Sequence, residues 1–339
     1  MSQRRRALAD RPRIKDVALA SGVSAQTVSN VLNNRPGFTD ETRDRVLRAV
    51  AEIGYVRDPA GRQLRTGESR RFAFSMTQED LDPRNPFAMT FLKAIVSAAE
   101  ELDRRVIILD HESEADGSFA ADLIGGEADG FIFINSSPGD YRVRLLEQHS
   151  VPFALMGRTL PEQSQSWIDI DNANAIGTAV DHVVGRGFRR LAFAGFVSER
   201  EWLHDRVRGF RESAARHDLP VEDGFILEDS SAGLEERLRE LLRRPDPPTA
   251  IITASDSIGV MAINIAHAEG IDVGTDLAVT GFDGGVLASL VIPNLTTVAI
   301  PVHEVAHRLM RRLADEVENG RSSRAGEIID TELVRGGSA

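Results

Sequence analysis

The sequence predicts an α/β protein with a small helical head: a three-helix helix-turn-helix unit, a hinge, and a body of two subdomains with parallel sheets. Three observations lead there. Two short amphipathic segments flank a glycine at residues 14–32, and an Arg-rich polar stretch follows at residues 58–70. From Phe72 onward, short apolar runs alternate with helical periodicity, the pattern of parallel sheets covered by helices.

In the head, Ile14, Val17 and Ala18 fall on one helical face at i, i+3, i+4 spacing. Gly22 suits the left-handed residue that ends a helix, and Ser24 suits the N-cap of the next. Val28, Val31 and Leu32 restore the apolar face. Such a pair is the layout of a helix-turn-helix, whose second helix enters a DNA major groove. The same periodicity also suits a plain helical hairpin. Thr39-Asp40 starts a third helix with Val46, Leu47, Val50 and Ile53 on one side, closed by Gly54-Tyr55. The head is expected over residues 12–57 and the hinge over 58–70.

The net charge of −12 looks unsuited to nucleic acid until it is divided along the chain. Residues 1–70 hold fourteen Lys or Arg against eight Asp or Glu, a net of +6, which leaves −18 on the rest. A basic head on an acidic body confines phosphate attraction to one end. A solvated charged surface would show the same excess, so the split gains meaning only beside the helix pattern. The absence of Cys excludes disulfides and thiolate chemistry and fits a reducing cytoplasm. No apolar run approaches the roughly 20 residues of a membrane span. The basic N-terminus lacks the apolar segment of a secretory signal. A cytoplasmic protein with no membrane partner is expected.

In the body, strands are expected at residues 72–76, 106–110, 130–134, 152–157, 191–195, 250–254 and 278–282. Helices are expected between them, at 87–102, 174–185, 206–217, 233–243 and 257–269. This is more than one sheet commonly needs, so two subdomains are expected within residues 71–339. The first would hold about 71–164 and 299–325, the second about 165–298 and 326–335. Crossings are placed at 163–167 and 293–301.

With these pieces in view, the chain resembles the lactose-repressor (LacI/GalR) family of bacterial transcription regulators over nearly its whole length. The matching motifs are IKDVALASGVSAQTVSNVLN, TRDRVLRAVAEIGY and the linker DPAGRQLRTG. The body adds NPF at residues 85–87, RVRGF at 206–210, ASDSIGVMA at 254–262, TGFDG at 280–284 and PNLTTV at 293–298. The resemblance implies a homodimer or tetramer on a near-palindromic operator DNA. It also implies a body like periplasmic binding proteins, with a small-molecule effector, usually a sugar or nucleoside-like molecule, in its cleft. The chain ends ELVRGGSA without a leucine heptad tail, which favours a dimer.

Carried over by position, Ala25, Gln26 and Asn30 match base-contacting residues. The amides of Gln26 and Asn30 suit adenine, which offers a donor and an acceptor at N6 and N7. The family often has Arg where this chain has Asn30, so the half-site is expected to depart from its relatives. Ser24, Thr27 and Ser29 suit capping or phosphate contacts. Leu64 matches a minor-groove wedge, flanked by Arg62 and Arg65. Gly61 stands where Ala is commoner and disfavours helix by about 0.8–1.0 kcal/mol, so the hinge should resist ordering without DNA.

For the effector, the resemblance implies Arg206, Ser255, Asp256 and Asp283 at strand C-termini. Arg158, Asp171 and Trp202 add to the wall, with Asn85 and Phe87 from the first subdomain. Each has a plainer reading. Asp171 and Asp256 suit helix caps, Arg158 a salt bridge between subdomains, and Trp202 ordinary packing. The combination of MGR at 156–158 with DIDN at 169–172 is similar to regulators of maltose and other α-glucosides. The function expected is repression of genes for sugar uptake or catabolism. A transport-type sugar-binding protein or a sugar-modifying enzyme is the alternative for such a body. No P-loop, GxSxG elbow or HExxH is present. No catalytic residue, metal or cofactor is therefore expected, and His303 with His307 reads as a helix surface.

Overall fold

Apolar spacing at residues 14–53 produces three helices: α1 (Ile14–Ser21), α2 (Ala25–Leu32) and α3 (Asp40–Ile53). The computed structural model describes residues 12–32, 36–55, 68–77, 80, 86–110, 117–158, 166–320 and 326–339. The chain divides into two units, residues 1–69 and 70–339. In the first, Gly22 takes φ 65° and its N–H reaches the carbonyls of Ala18 and Leu19, which turns the chain between α1 and α2. Ser24 Oγ accepts from the Thr27 amide at 3.0 Å and so caps α2. Val17, Val28, Val31, Val46 and Ala49 form the buried core. Leu47, expected inside, is 45% exposed. It lies one position, about 100°, around α3 from Val46, and Ala49 faces inward instead.

The second unit carries two sheets. Its first half runs β1 (Arg71–Met76), α4 (Phe87–Glu101), β2 (Arg105–Asp110), α5 (Ser118–Ile124), β3 (Gly130–Phe133), α6 (Tyr141–Gln148), β4 (Phe153–Met156) and β5 (Ser166–Ile170). Then follow α7 (Asn172–Gly185), β6 (Leu191–Phe196), α8 (Glu201–Arg216), β7 (Ile226–Asp229), α9 (Ser231–Leu242), β8 (Ala250–Thr253) and α10 (Asp256–Ala268). The chain closes with β9 (Ala278–Asp283), α11 (Val286–Leu290), β10 (Thr296–Ala299), α12 (Val302–Asn319), β11 (Gly326–Ile329) and β12 (Glu332–Val334).

The first sheet has the order β2-β1-β3-β4-β5-β11, parallel throughout. The second runs β7-β6-β8-β9-β10-β12, parallel except for β12 against β10. Strands covered on both faces need near-continuous apolar sequence, and Phe72, Phe74, Phe131 and Phe133 are buried accordingly. The amphipathic α12 returns to the first sheet, burying Leu309, Met310 and Leu313.

Two expected subdomain boundaries move. The strand at 166–170 pairs with β4 and β11 in the first sheet, so the chain crosses after Ile170 and not near 165. Residues 326–329 also join the first sheet, and only 332–334 reach the second. The polar run before Ser166 reads as a crossing, but the apolar alternation after it belongs to a sheet strand. In each sheet the strand order reverses once, between β1 and β3 and between β6 and β8. Loops diverge at such switch points and leave a crevice at the strand C-termini.

Candidate functional site

On α2, the Gln26 side-chain amide donates to Asn30 Oδ1 at 3.0 Å. The two expected base readers are therefore joined on one helix face, with Gln26 exposed and Asn30 half-buried. Ala25, Thr27 and Ser29 are half-buried beside them, and Ser24 Oγ meets Thr27 Oγ1 at 2.8 Å. Arg62, Leu64, Arg65 and Asn85 lie outside the described residues, as does most of the expected hinge.

In the body, both switch points contribute to one cleft. Asn135 follows β3 and Phe87 begins α4; Trp202 and Arg206 lie on α8 after β6; Ala254 and Ser255 follow β8. Asp169, Asn172 and Asp283 come from the C-terminal ends of β5 and β9 and the first residue of α7. Arg206 is its centre. Its Nε donates to Asn172 Oδ1 at 2.8 Å and its Nη1 to the Ala254 carbonyl at 2.6 Å. The guanidinium lies 3.6 Å from the Phe282 ring centre and 4.6 Å from that of Trp202. Burial lowers its pKa to about 10, against the pull of Asp283, Asp169 and Asp256. It remains a fixed cation at neutral pH.

Asp283 has φ 106°, an unusual backbone for a non-glycine residue. Part of its surface remains open to the cleft. Even so, burial pushes its carboxyl up to about 8, with Arg206 opposing and Asp256 adding to the rise. Asp169 is also raised by burial, against its hydrogen bond from Arg158. Trp202 Nε1 is buried with no hydrogen-bond partner among the described residues. Most buried donors are paired, so this N–H is a candidate contact for a ligand oxygen.

The other expected residues are placed differently. Asp171 is exposed, accepts from the Asn174 amide at 3.0 Å and caps α7. It does not line the cleft. Asp256 accepts from the Gly285 amide at 2.6 Å and from Thr297 Oγ1, and it faces a neighbouring cavity. Burial raises it to about 6. Ser255 caps α10 through the Ile258 amide at 3.3 Å while lining the cleft. Arg158 joins Asp169 at 2.9 Å and Asp205 on α8 at 2.7 Å, an ion pair between the subdomains. Arg200 adds a second tie, from its Nε to the Asn135 carbonyl at 2.9 Å.

Asp169 and Asn172 fall within the DIDN segment noted in the sequence but are not named there as ligand contacts, and Asn135 is not named at all. Their signal was position: each sits at or just beyond a C-terminal strand end, where ligands of doubly wound sheets gather. Among the described residues no group of His, Asp and Glu suits a metal ion, and His307 meets Glu101 at 2.6 Å. No described helix is long and apolar enough to cross a membrane.

Comparison with known proteins gives the same two parts. The profile described as bacterial regulatory proteins, lacI family, matches residues 13–58, and a periplasmic binding protein-like domain matches residues 180–339. The chain is 30% identical over 332 residues to the HTH-type transcriptional repressor CytR of Escherichia coli (strain K12), covering 96% of this chain and 95% of that protein. It is 27% identical over 336 residues to the HTH-type transcriptional regulator CelR of Thermobifida fusca, covering 96% and 97%. Among solved structures, a CelR–cellobiose complex superposes with TM-score 0.73 at 25% identity, covering 97% of this chain and all of that one. The lac repressor dimer bound to operator and the anti-inducer ONPF superposes with TM-score 0.82 at 22% identity, covering 97% and 99%, a likeness of fold. The chain belongs to the lacI family of bacterial regulatory proteins and is a DNA-binding transcription regulator, not an enzyme.

Proposed function

We propose that this regulator is a homodimeric repressor of sugar uptake or catabolism genes, and that a sugar in the cleft sets its affinity for a near-palindromic operator. The observation that carries the reading is the Arg206 centre. A planar donor fork, an adjoining carboxyl at Asp283 and the amides of Asn172 and Asn135 converge at the C-terminal ends of two sheets. Hydroxyl-rich ligands need such fixed donors and acceptors, because unpaired buried polar groups cost about 1–3 kcal/mol each. The cellobiose complex of CelR supports a glucoside as the ligand class, and the MGR and DIDN segments favour an α-glucoside.

In this reading Arg206, Asp283, Ser255, Trp202 and Phe87 contact the effector, with Asn85 on the first subdomain. Arg158 holds the mouth, and Asp171 and Asp256 support the wall. Ala25, Gln26 and Asn30 read bases; Ser24, Thr27 and Ser29 bind phosphates; Leu64 wedges the minor groove between Arg62 and Arg65. Ligand in the cleft shifts the two subdomains and so changes whether the hinges order on DNA. Such couplings amount to about 1–3 kcal/mol. Operator capture with purified protein, repeated with mono- and disaccharides, tests this. The expected result is a palindromic site whose occupancy one sugar class changes at least about fivefold. Occupancy unmoved by every sugar would overturn the effector assignment.

A further inference from the structure

Three neighbouring strands of the first sheet each begin one residue after a charged side chain. Arg70 precedes β1, Arg104 precedes β2 and Asp129 precedes β3. Parallel pairing gathers the three at the N-terminal edge of the sheet, the end away from the cleft. There Asp129 Oδ2 accepts from the Arg70 backbone amide at 2.7 Å and from Arg104 Nη1 at 3.0 Å. The Arg70 carbonyl accepts from the Arg105 amide at 2.9 Å. Both backbone groups of Arg70 are thereby held, at φ 55°, where a residue other than glycine is uncommon. Arg70 is the first residue of the body, so these bonds fix the backbone at the point where the chain enters it.

Arg104 also reaches a distant element. Its Nη2 donates to Glu318 Oε1 at 2.9 Å, in the last turn of α12. The Arg104 side chain is 2% exposed and lies over the Phe72 ring, 5.2 Å from its centre. Buried charges need partners, and this one takes carboxylates from two separate parts of the chain. The helix that carries Glu318 spans 18 residues, about 27 Å, and α4 packs beside it. Both helices begin at the cleft: Phe87, the first residue of α4, lines it, and so does Ile300, two residues before α12. His307 of α12 meets Glu101 at the end of α4 at 2.6 Å, and Arg104 follows three residues later.

We propose that Arg104 is a positioning residue for operator binding: it sets the Arg70 backbone according to the placement of α12. A guanidinium holds its nitrogens in one rigid plane, so a shift of Glu318 turns the fork and moves the nitrogen that meets Asp129. The same Asp129 oxygen holds the Arg70 amide, and the displacement ends at the backbone that leads to the head. An ion pair that only stabilises the fold would leave Arg70 indifferent to α12. The assignment goes beyond the effector reading above and holds whatever the cleft binds.

The test uses the full-length protein without any sugar and two DNA probes: the duplex it selects from a random pool, and a duplex of scrambled sequence. Glu318→Gln is isosteric, falls at a half-exposed site and removes the charge on α12. Hydrogen exchange at the Arg70 amide, read by mass spectrometry, should accelerate at least about fivefold. Affinity for the selected duplex should fall by at least about fivefold, while affinity for the scrambled duplex stays within about twofold. Arg104→Lys keeps the charge on a single nitrogen without the rigid fork. It should move both readings the same way, which holds the test open if one variant fails to fold. Unchanged exchange at Arg70 in either folded variant would overturn the assignment. Equal losses on the two duplexes would overturn it as well, since they mark general destabilisation. Faster exchange with full affinity for the selected duplex would remove Arg70 from operator binding.

Discussion

Asp283 carries its proton where most carboxylates have lost theirs, because burial raises it to about 8. With the proposed contact at Asp283, effector binding becomes a proton-linked event. Sugar hydroxyls donate to an ionised carboxylate, so binding at neutral pH expels the proton. Affinity should therefore climb with pH up to about 8, approaching tenfold per unit, and level off above. Titration calorimetry across pH 6–9 would show it, and Asp283→Asn should flatten the profile. A level wild-type profile would remove Asp283 from direct contact. Folding runs the opposite way with pH. The folded state binds the extra proton between 3.8 and about 8, so its stability is greatest below that window and declines as pH rises through it. Arg206 and Asp283 were legible from motif position; that Asp256 serves the turn was not. Adjacent Ser255 and Asp256 look alike in sequence, yet only the fold reveals that the Gly285 amide and Thr297 occupy the Asp256 carboxylate.

Among the elements, α2 is the one whose sequence and function are hardest to separate. Val28 and Val31 fix it to the core, which leaves Gln26 and Asn30 facing outward and hydrogen-bonded to each other. Asn30→Arg should break that pair and shift the preferred half-site towards guanine, as site selection from a random DNA pool would reveal. An unchanged half-site would take Asn30 out of the readout. The turn before α2 is equally specific: Gly22→Ala places an L-residue at φ 65°. It should destabilise the head by about 1–2 kcal/mol, lowering the temperature at which operator binding is lost while the body's melting is unmoved. The three head helices and the parallel strands could be read from apolar periodicity. The subdomain boundaries could not, because β5 and β11 pair across 155 or more residues of sequence, and no local pattern records a partner so distant.

At the scale of the molecule, side-chain bonds among the described residues tie the body across its cleft. Arg158 to Asp205 and Arg200 to Asn135 are two of them, and both sit beside the ligand wall. If these bonds open to admit the ligand, closure and binding are linked. Asp205→Asn should loosen closure, so effector release should accelerate several-fold in stopped-flow measurements. The affinity of the head for non-specific DNA should stay unchanged. Release at the wild-type rate would show that the ion pair does not govern closure.

The chain contains only two tryptophans, and both stand where the regulator should move. Trp202 lies beneath the Arg206 guanidinium on the ligand wall, and Trp167 lies beneath Arg158 at the tie between subdomains, 5.7 Å from ring centre to guanidinium carbon. Each indole stacks on a cation whose partners would rearrange during effector entry. The protein therefore comes with its own optical reporters. Emission in Trp167→Phe should follow arrival of the effector and emission in Trp202→Phe the closing of the body, so the order of the two events can be timed without an attached dye.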